Sequence, residues 1–157
     1  MAVFLTPFIA DLRARTLAIW PETATSGIWL ADDIDTVPWE SLGDTYAVML
    51  VSKAVKSDNY QGANIVFTLP IEMYYVSKYA GDMTGTIPGG TEALIDKAED
   101  WTIAMVRDTL TVGQLLSIDE IDWGKDIPAN GIMKAKNMTH RAVRVSCTVL
   151  LGFNPRN

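Results

Sequence analysis

The chain has 157 residues, of which 48% are apolar and 20% charged, a balance that suits one folded domain burying about two thirds of its unfolded surface. Nineteen acidic and 13 basic side chains leave a formal net charge of −6, which makes the chain a poor candidate for a counterion-releasing grip on nucleic acid over its whole surface, while negative charge would keep any contact with DNA loose. No apolar stretch reaches the roughly 18 residues of a membrane span, and the N-terminus lacks the basic and apolar regions of a secretory signal, so neither a membrane partner nor export is expected.

In chain order, Thr6 followed by Pro7 reads as a cap and a first helical residue. Phe8, Leu12, Thr16 and Ile19 then follow one stripe, with Ile9 and Trp20 beside it, until Pro21 stops a short helix over 7–20. Trp20, at that stop, is a candidate for a subunit boundary. Ile28, Trp29 and Leu30 suit a short strand. The acidic run at 32–35 lacks the glycine and closing glutamate that a calcium loop places at set positions, so it reads as a solvated loop, with Trp39 after Pro38 as its anchor.

The segment 46–55 reads as a strand with two apolar faces, Tyr46, Val48 and Leu50 on one and Ala47, Met49 and Val51 on the other. Such a strand is internal, or its second face meets another layer or subunit. Alternation is cleanest over 63–76, with Ile65, Phe67, Leu69, Ile71, Met73 and Tyr75 on one side and Asn64, Thr68 and Glu72 on the other. That length exceeds the usual strand and calls for a bend or bulge. Pro70 cannot donate to a ladder, so it marks either the bend or an exposed edge, where neighbouring subunits would join.

Gly81, Gly85, Pro88, Gly89 and Gly90 make 77–90 a loop or arm. Gly90 is followed by Thr91 and Glu92, without the lysine of a phosphate loop. Tyr79 near its start reads as a packing or contact aromatic. The stretch 91–110 is a long helix, roughly 30 Å at about 1.5 Å per residue. Leu94, Ala98, Trp101, Met105 and Val106 form its stripe, Ile95 flanks them, and Thr91 is the expected cap with Glu92 in the first turn. A helix this apolar on one side needs a surface, and the strands around it supply a sheet.

A further strand over 114–123 places Leu115, Ile121 and Trp123 on one parity and Leu116 and Ile118 on the other. Asp119, Glu120 and Asp122 would need an apolar pocket to do acid–base work, and a solvated acidic rim is the simpler reading. A loop over 124–131 leads to Lys134, Lys136 and His140. His140 and Cys147, the sole histidine and cysteine, do not make a metal site, and Cys147 reads as a buried thiol. The last strand, 141–151, turns Val143, Val145, Cys147, Val149 and Leu151 inward and Arg144, Ser146 and Thr148 outward. Arg141 and Arg144 are placed to answer the 119–122 carboxylates on a neighbouring strand or subunit. Phe153 in the short tail suits a tuck against a neighbour.

The expected fold class is therefore α+β: a mixed or antiparallel sheet of four to five strands, covered by the long helix and the short N-terminal one, in a single domain over 1–157 with an arm at 77–90. This element order, the size and the closing strand at 141–149 (Arg-Ala-Val-Arg-Val-Ser-Cys-Thr-Val) resemble the tail terminator proteins of tailed bacteriophages, also called minor tail or tail completion proteins, over roughly residues 6–151. The resemblance implies a hexameric ring in the virion, at the head-proximal end of the tail, that is assembled in the host cytoplasm. The ring caps the tail tube and joins it to the head or neck. Implied partners are further copies of the chain, the tail tube protein, a neck or connector protein, and passing DNA bound without sequence specificity.

The resemblance implies no cofactor, no metal and no catalytic residues, so an enzyme is not expected. A ring uses heterologous contacts. Candidates for subunit or partner contact are Tyr46, Val48, Phe67, Pro70, Tyr79, Asp119, Asp122, Arg141, Arg144 and Phe153. The acidic, tryptophan-bearing 29–39 region departs from the family and suits a virus-specific contact. A head–tail connector or head-closure ring protein is the alternative reading, and a soluble α/β enzyme or small-molecule binding domain the third.

Overall fold

Alternating side chains make an extended segment two-faced, and the two longest such segments of this chain lie against each other along their whole length. The computed structural model describes residues 5–25, 28–31, 45–56, 65–78, 90–107, 113–122 and 140–153. Its elements in order are α1 (Leu5–Ile19), a 3-10 turn (Pro21–Thr25), β1 (Ile28–Ala31), β2 (Thr45–Val51), β3 (Val55–Lys56), β4 (Ile65–Lys78), α2 (Thr91–Arg107), β5 (Gln114–Asp122) and β6 (His140–Phe153). The strand order is β1-β2-β4-β6-β5, with β3 pairing β4 beyond the end of β2. β1 runs parallel to β2 and every other pair is antiparallel. The fold is thus α+β, with a mixed sheet and two helices.

Both helices lie on one face. Phe8 and Leu12 from α1, and Leu94, Ala98, Trp101 and Met105 from α2, pack on Ala47, Met49, Leu69, Ile71, Met73, Tyr75 and the inward row of β6 from Val143 to Leu151. Each helix buries the stripe expected of it, except that Val106 falls outside the stripe and is 65% exposed. Removing these side chains from water is the main favourable term, and two indoles tie the layers together. Trp101 Nε1 donates to Thr16 Oγ1 at 3.1 Å, and Trp20 Nε1 donates to the Lys97 carbonyl at 3.0 Å. Tyr75 meets Trp20 edge-on at 5.1 Å. Trp20 is fully buried, so it closes the core instead of facing another subunit.

Helix ends differ from expectation by small steps with physical causes. α1 begins at Leu5, which makes Pro7 its third residue. A first-turn N–H has no intrahelical partner, so proline costs nothing there. In α2 the Gly90 carbonyl accepts from the Leu94 N–H at 3.0 Å, so Gly90 takes the cap position. Thr91 becomes the first helical residue, and its hydroxyl accepts from Arg141 Nη1 at 3.3 Å. Glu92 and Arg107 sit in the first and last turns, each favourable to the helix dipole.

Two irregularities shape the sheet. β2 ends at Val51, not at 55, and Ser52 donates its N–H to the Pro70 carbonyl at 3.2 Å. Val51 opposes Ile71 while Val55 opposes Thr68, so 52–54 bulge out against only two residues of β4. Pro70 therefore lies in an interior strand, flanked by β6 on its other side, and not on an edge. Its carbonyl accepts from Ser52 at the start of the bulge, and its missing N–H points the same way, to the side where β2 has already ended. β4 also continues through Lys78, into the segment expected to be loop.

The second irregularity is in β5, whose pairing with β6 shifts between Leu115 and Ser117 and again between Ile118 and Glu120. Leu116 and Asp119 are the extra residues. Each bulge resets the alternation, so Leu115, Ile118 and Ile121 all reach the core and Leu116 is left 55% exposed. Strict alternation would have put Ile118 with Leu116. The entry to β5 turns on Gly113, at φ +87°.

Candidate interaction surfaces

On the face of the sheet away from the helices, cross-strand register gathers charge around one guanidinium. Tyr74, Arg144 and Asp122 form one row, and Glu72, Ser146 and Glu120 the next. Arg144 Nη2 donates to Glu120 Oε1 at 3.0 Å and to Asp122 Oδ2 at 3.5 Å, and Nη1 lies 3.7 Å from Glu72 Oε1. The Arg144 side chain is 17% exposed. Burial works against its charge, but the Tyr74 hydroxyl, Glu72 and Glu120 outweigh that and raise its pKa. The Tyr74 hydroxyl donates to Glu72 Oε2 at 3.0 Å, and burial first, then Glu72, push its pKa upward. Arg144 and Tyr74 therefore hold their protons, and the group pins the register of three strands.

Asp119 has a different task. It accepts from Ser117 Oγ at 2.6 Å and from Thr148 Oγ1 at 2.8 Å, which fastens the second bulge of β5 to β6. A separate clamp sits where the 3-10 turn meets α2. Glu22 pairs with Lys97 and accepts from the Tyr75 hydroxyl at 2.8 Å, and the Lys97 ammonium lies 5.6 Å from the Tyr75 ring centre. Burial alone would raise the Glu22 pKa. The hydrogen bonds from Lys97, the backbone and Tyr75 outweigh it and hold the carboxyl below its ordinary value.

Cys147 is buried, and desolvation, helped by the Asp119 charge, pushes its thiol up to about 12. A thiol with so little thiolate is a poor nucleophile. Among the described residues no group of three or more His, Cys, Asp and Glu side chains could hold a metal ion. No described helix is long and apolar enough to cross a membrane. A groove between the helices is lined by Arg15, Ala18, Ile19, Ala104 and Met105, and its one charged group is paired with Asp11 at 3.1 Å.

The contact candidates are scattered by the fold. Tyr46 and Val48 are fully buried on the second face of the sheet and offer no surface to a neighbour. Phe67 is half-buried on the helix face, opposite Lys56 and Leu151. Pro70 and Asp119 are exposed, and Asp122 is half-buried beside Arg144. Arg141 donates to Thr91 at the start of α2, and Arg144 answers the β5 acids as an ion pair. Phe153 takes the last position of β6, opposite Ile65. Tyr79 lies outside the described residues, as do the 32–35 acidic run, Trp39, Trp123, Lys134 and Lys136.

Sequence reasoning passed over the margin at β3, where Lys53, Val55 and Lys56 are all exposed, Val55 by 54%. Their one signal is a pair of apolar residues, Ala54 and Val55, between two lysines. Facing away across the sheet, the β5 margin exposes Leu116, Asp119 and Glu120. The short β3 margin beyond the end of β2 is thus basic and the β5 edge acidic, each with an exposed apolar residue near the charges.

No protein-family model matches the chain, and no curated protein matches it. Among solved structures, a chain described as "Virion of native gene transfer agent (GTA) particle" is similar at 11% identity with a TM-score of 0.43, over 92% of this chain and 93% of that one. A likeness of that strength carries no argument about what this chain does.

Proposed function

We propose that this chain is a structural, non-enzymatic virion protein of the tail terminator type, a single domain that assembles into a hexameric ring. The ring caps the tail tube at its head-proximal end and joins it to the neck, and DNA passes through without sequence-specific binding. The observation that carries this reading is the element order realised as one helix-covered sheet. The short helix, the paired strands, the long helix and the closing strand at 141–149 fall in the sequence of the resemblance, and the inward row of β6 is buried in the core. The excess of carboxylates suits a wall that does not hold DNA.

Native mass across a concentration series, followed by mixing with purified tail tubes, tests the reading. A closed hexamer that halts tube growth supports it. A ring that leaves tubes growing but binds a head or neck complex supports the connector alternative instead. A monomer that neither assembles on tube ends nor stops their growth refutes the ring.

A further inference from the structure

Heterologous rings need two different surfaces on each subunit, each complementary to the other. β3 lies on the side of β4 opposite β6, so its margin and that of β5 are separated by the whole width of β4 and β6. Both are levelled by the same short stretch of β4. Val55 opposes Thr68 and Lys56 opposes Phe67. Through β6, Leu115 reaches the level of Leu69, Ser117 that of Pro70, and Glu120 that of Glu72.

Neither margin suits strand addition. β5 carries two bulges with exposed carboxylates, and β3 is two residues long after a bulge, devices that block edge-to-edge pairing. What each margin does present is side chains. At β3 the exposed Val55 shares the outer face with Thr68 while the exposed Lys56 turns to the face of Phe67, with Lys53 exposed just before them, and at β5 Leu116 stands beside Asp119 and Glu120. An exposed apolar residue with charged neighbours, opposite in sign on the two sides, is the pattern of a partner-selecting interface. Like margins repel, so two copies do not meet β3 to β3 or β5 to β5.

We propose that a second copy of this chain docks head to tail, with Lys53, Val55 and Lys56 of one copy against Leu116, Asp119 and Glu120 of the next. This contact rests on the ring reading and specifies its interface. It chooses the heterologous pairing that propagates around a ring over the isologous one that stops at a dimer. Because the charges are exposed, salt weakens the contact.

Single variants Val55→Cys and Leu116→Cys place accessible thiols at the two margins, while the buried Cys147 leaves the wild type as an unlinked control. With a short bismaleimide, the mixture of the two single variants is expected to give covalent dimers, and the double variant a ladder of multimers. Either single variant alone gives at least about tenfold less. Adding Lys53→Glu and Lys56→Glu, both on exposed side chains that leave the core untouched, lowers the linked yield at least about tenfold, as like charges then face each other. Efficient linking of Val55→Cys to itself, or no linking in a chain whose native mass is that of a ring, overturns this contact and leaves the ring reading standing. A wild type that stays monomeric and does not cap tubes removes the ring reading and this contact with it.

Discussion

Gly113→Ala tests how tightly the turn into β5 is built. Gly113 has φ +87°, and a Cβ there would lie 2.6 Å from Leu151 Cδ2, 3.1 Å from the Leu150 carbonyl oxygen and 3.3 Å from Val149 Cγ1. The left-handed backbone costs an alanine about 1–2 kcal/mol. Leu151 and Val149 are fully buried in the core, so a methyl group forced between them adds overpacking of about 1–3 kcal/mol. The Leu150 carbonyl belongs to a paired strand and does not swing aside. Together the loss is about 2–5 kcal/mol, a large part of a stability of roughly 5–15 kcal/mol.

Equilibrium urea unfolding measures it. The midpoint is expected to fall by about 1–2 M at unchanged slope. Gly113→Asn separates the two contributions, because asparagine tolerates the left-handed region but keeps the Cβ. Asparagine should recover only part of the loss. A loss below about 0.5 kcal/mol for alanine, or full recovery by asparagine, refutes the packing argument.

Thr16→Val keeps the shape of a fully buried side chain but leaves the Trp101 N–H without its acceptor, so urea unfolding should show a loss of about 1–3 kcal/mol; a neutral result would mean that the indole finds another partner. The Glu22 carboxyl is held below its ordinary value of 4.5, so near that pH the unfolded chain binds more protons than the folded one. Its contribution is complete above about pH 4.5 and is lost as pH falls through the depressed value. Stability–pH curves of wild type and Glu22→Gln should therefore converge in acid, and parallel curves would count against the clamp. Pro70→Ala adds an N–H that points at the 52–54 bulge, so its effect on stability should stay within about 1 kcal/mol. A loss above about 2 kcal/mol would show that the ring of Pro70 packs in a way the register does not capture.

Much of the architecture was legible because periodicity is a local property. Period two in 65–76 and 143–151 named the inward side chains of β4 and β6, and three- and four-residue spacing named Leu94, Ala98, Trp101 and Met105. Pro21, Gly90 and Gly113 marked boundaries for reasons internal to the chain. Where alternation was interrupted, reading failed. Nothing local announced that β5 would slip twice, so Ile118 was placed on the wrong face. Pro70 reads as a bend or an edge because its sequence neighbours do not reveal that a different segment loops out opposite it.

The surfaces show the same division more sharply. Composition and spacing determined the acidic balance, the two-faced strands, the helix stripes and the want of a recognisable catalytic motif. Only the tertiary structure decided that Arg144 serves Glu72, Glu120 and Asp122 at once, that Arg141 goes to Thr91, and that Tyr46 and Val48 are enclosed. It also set Lys53, Val55 and Lys56 at one margin and Leu116, Asp119 and Glu120 at the other. These are relations between segments far apart in sequence, fixed by strand register and bulges. Register is chosen by the fit of whole faces in space, a quantity that no single stretch of the chain contains.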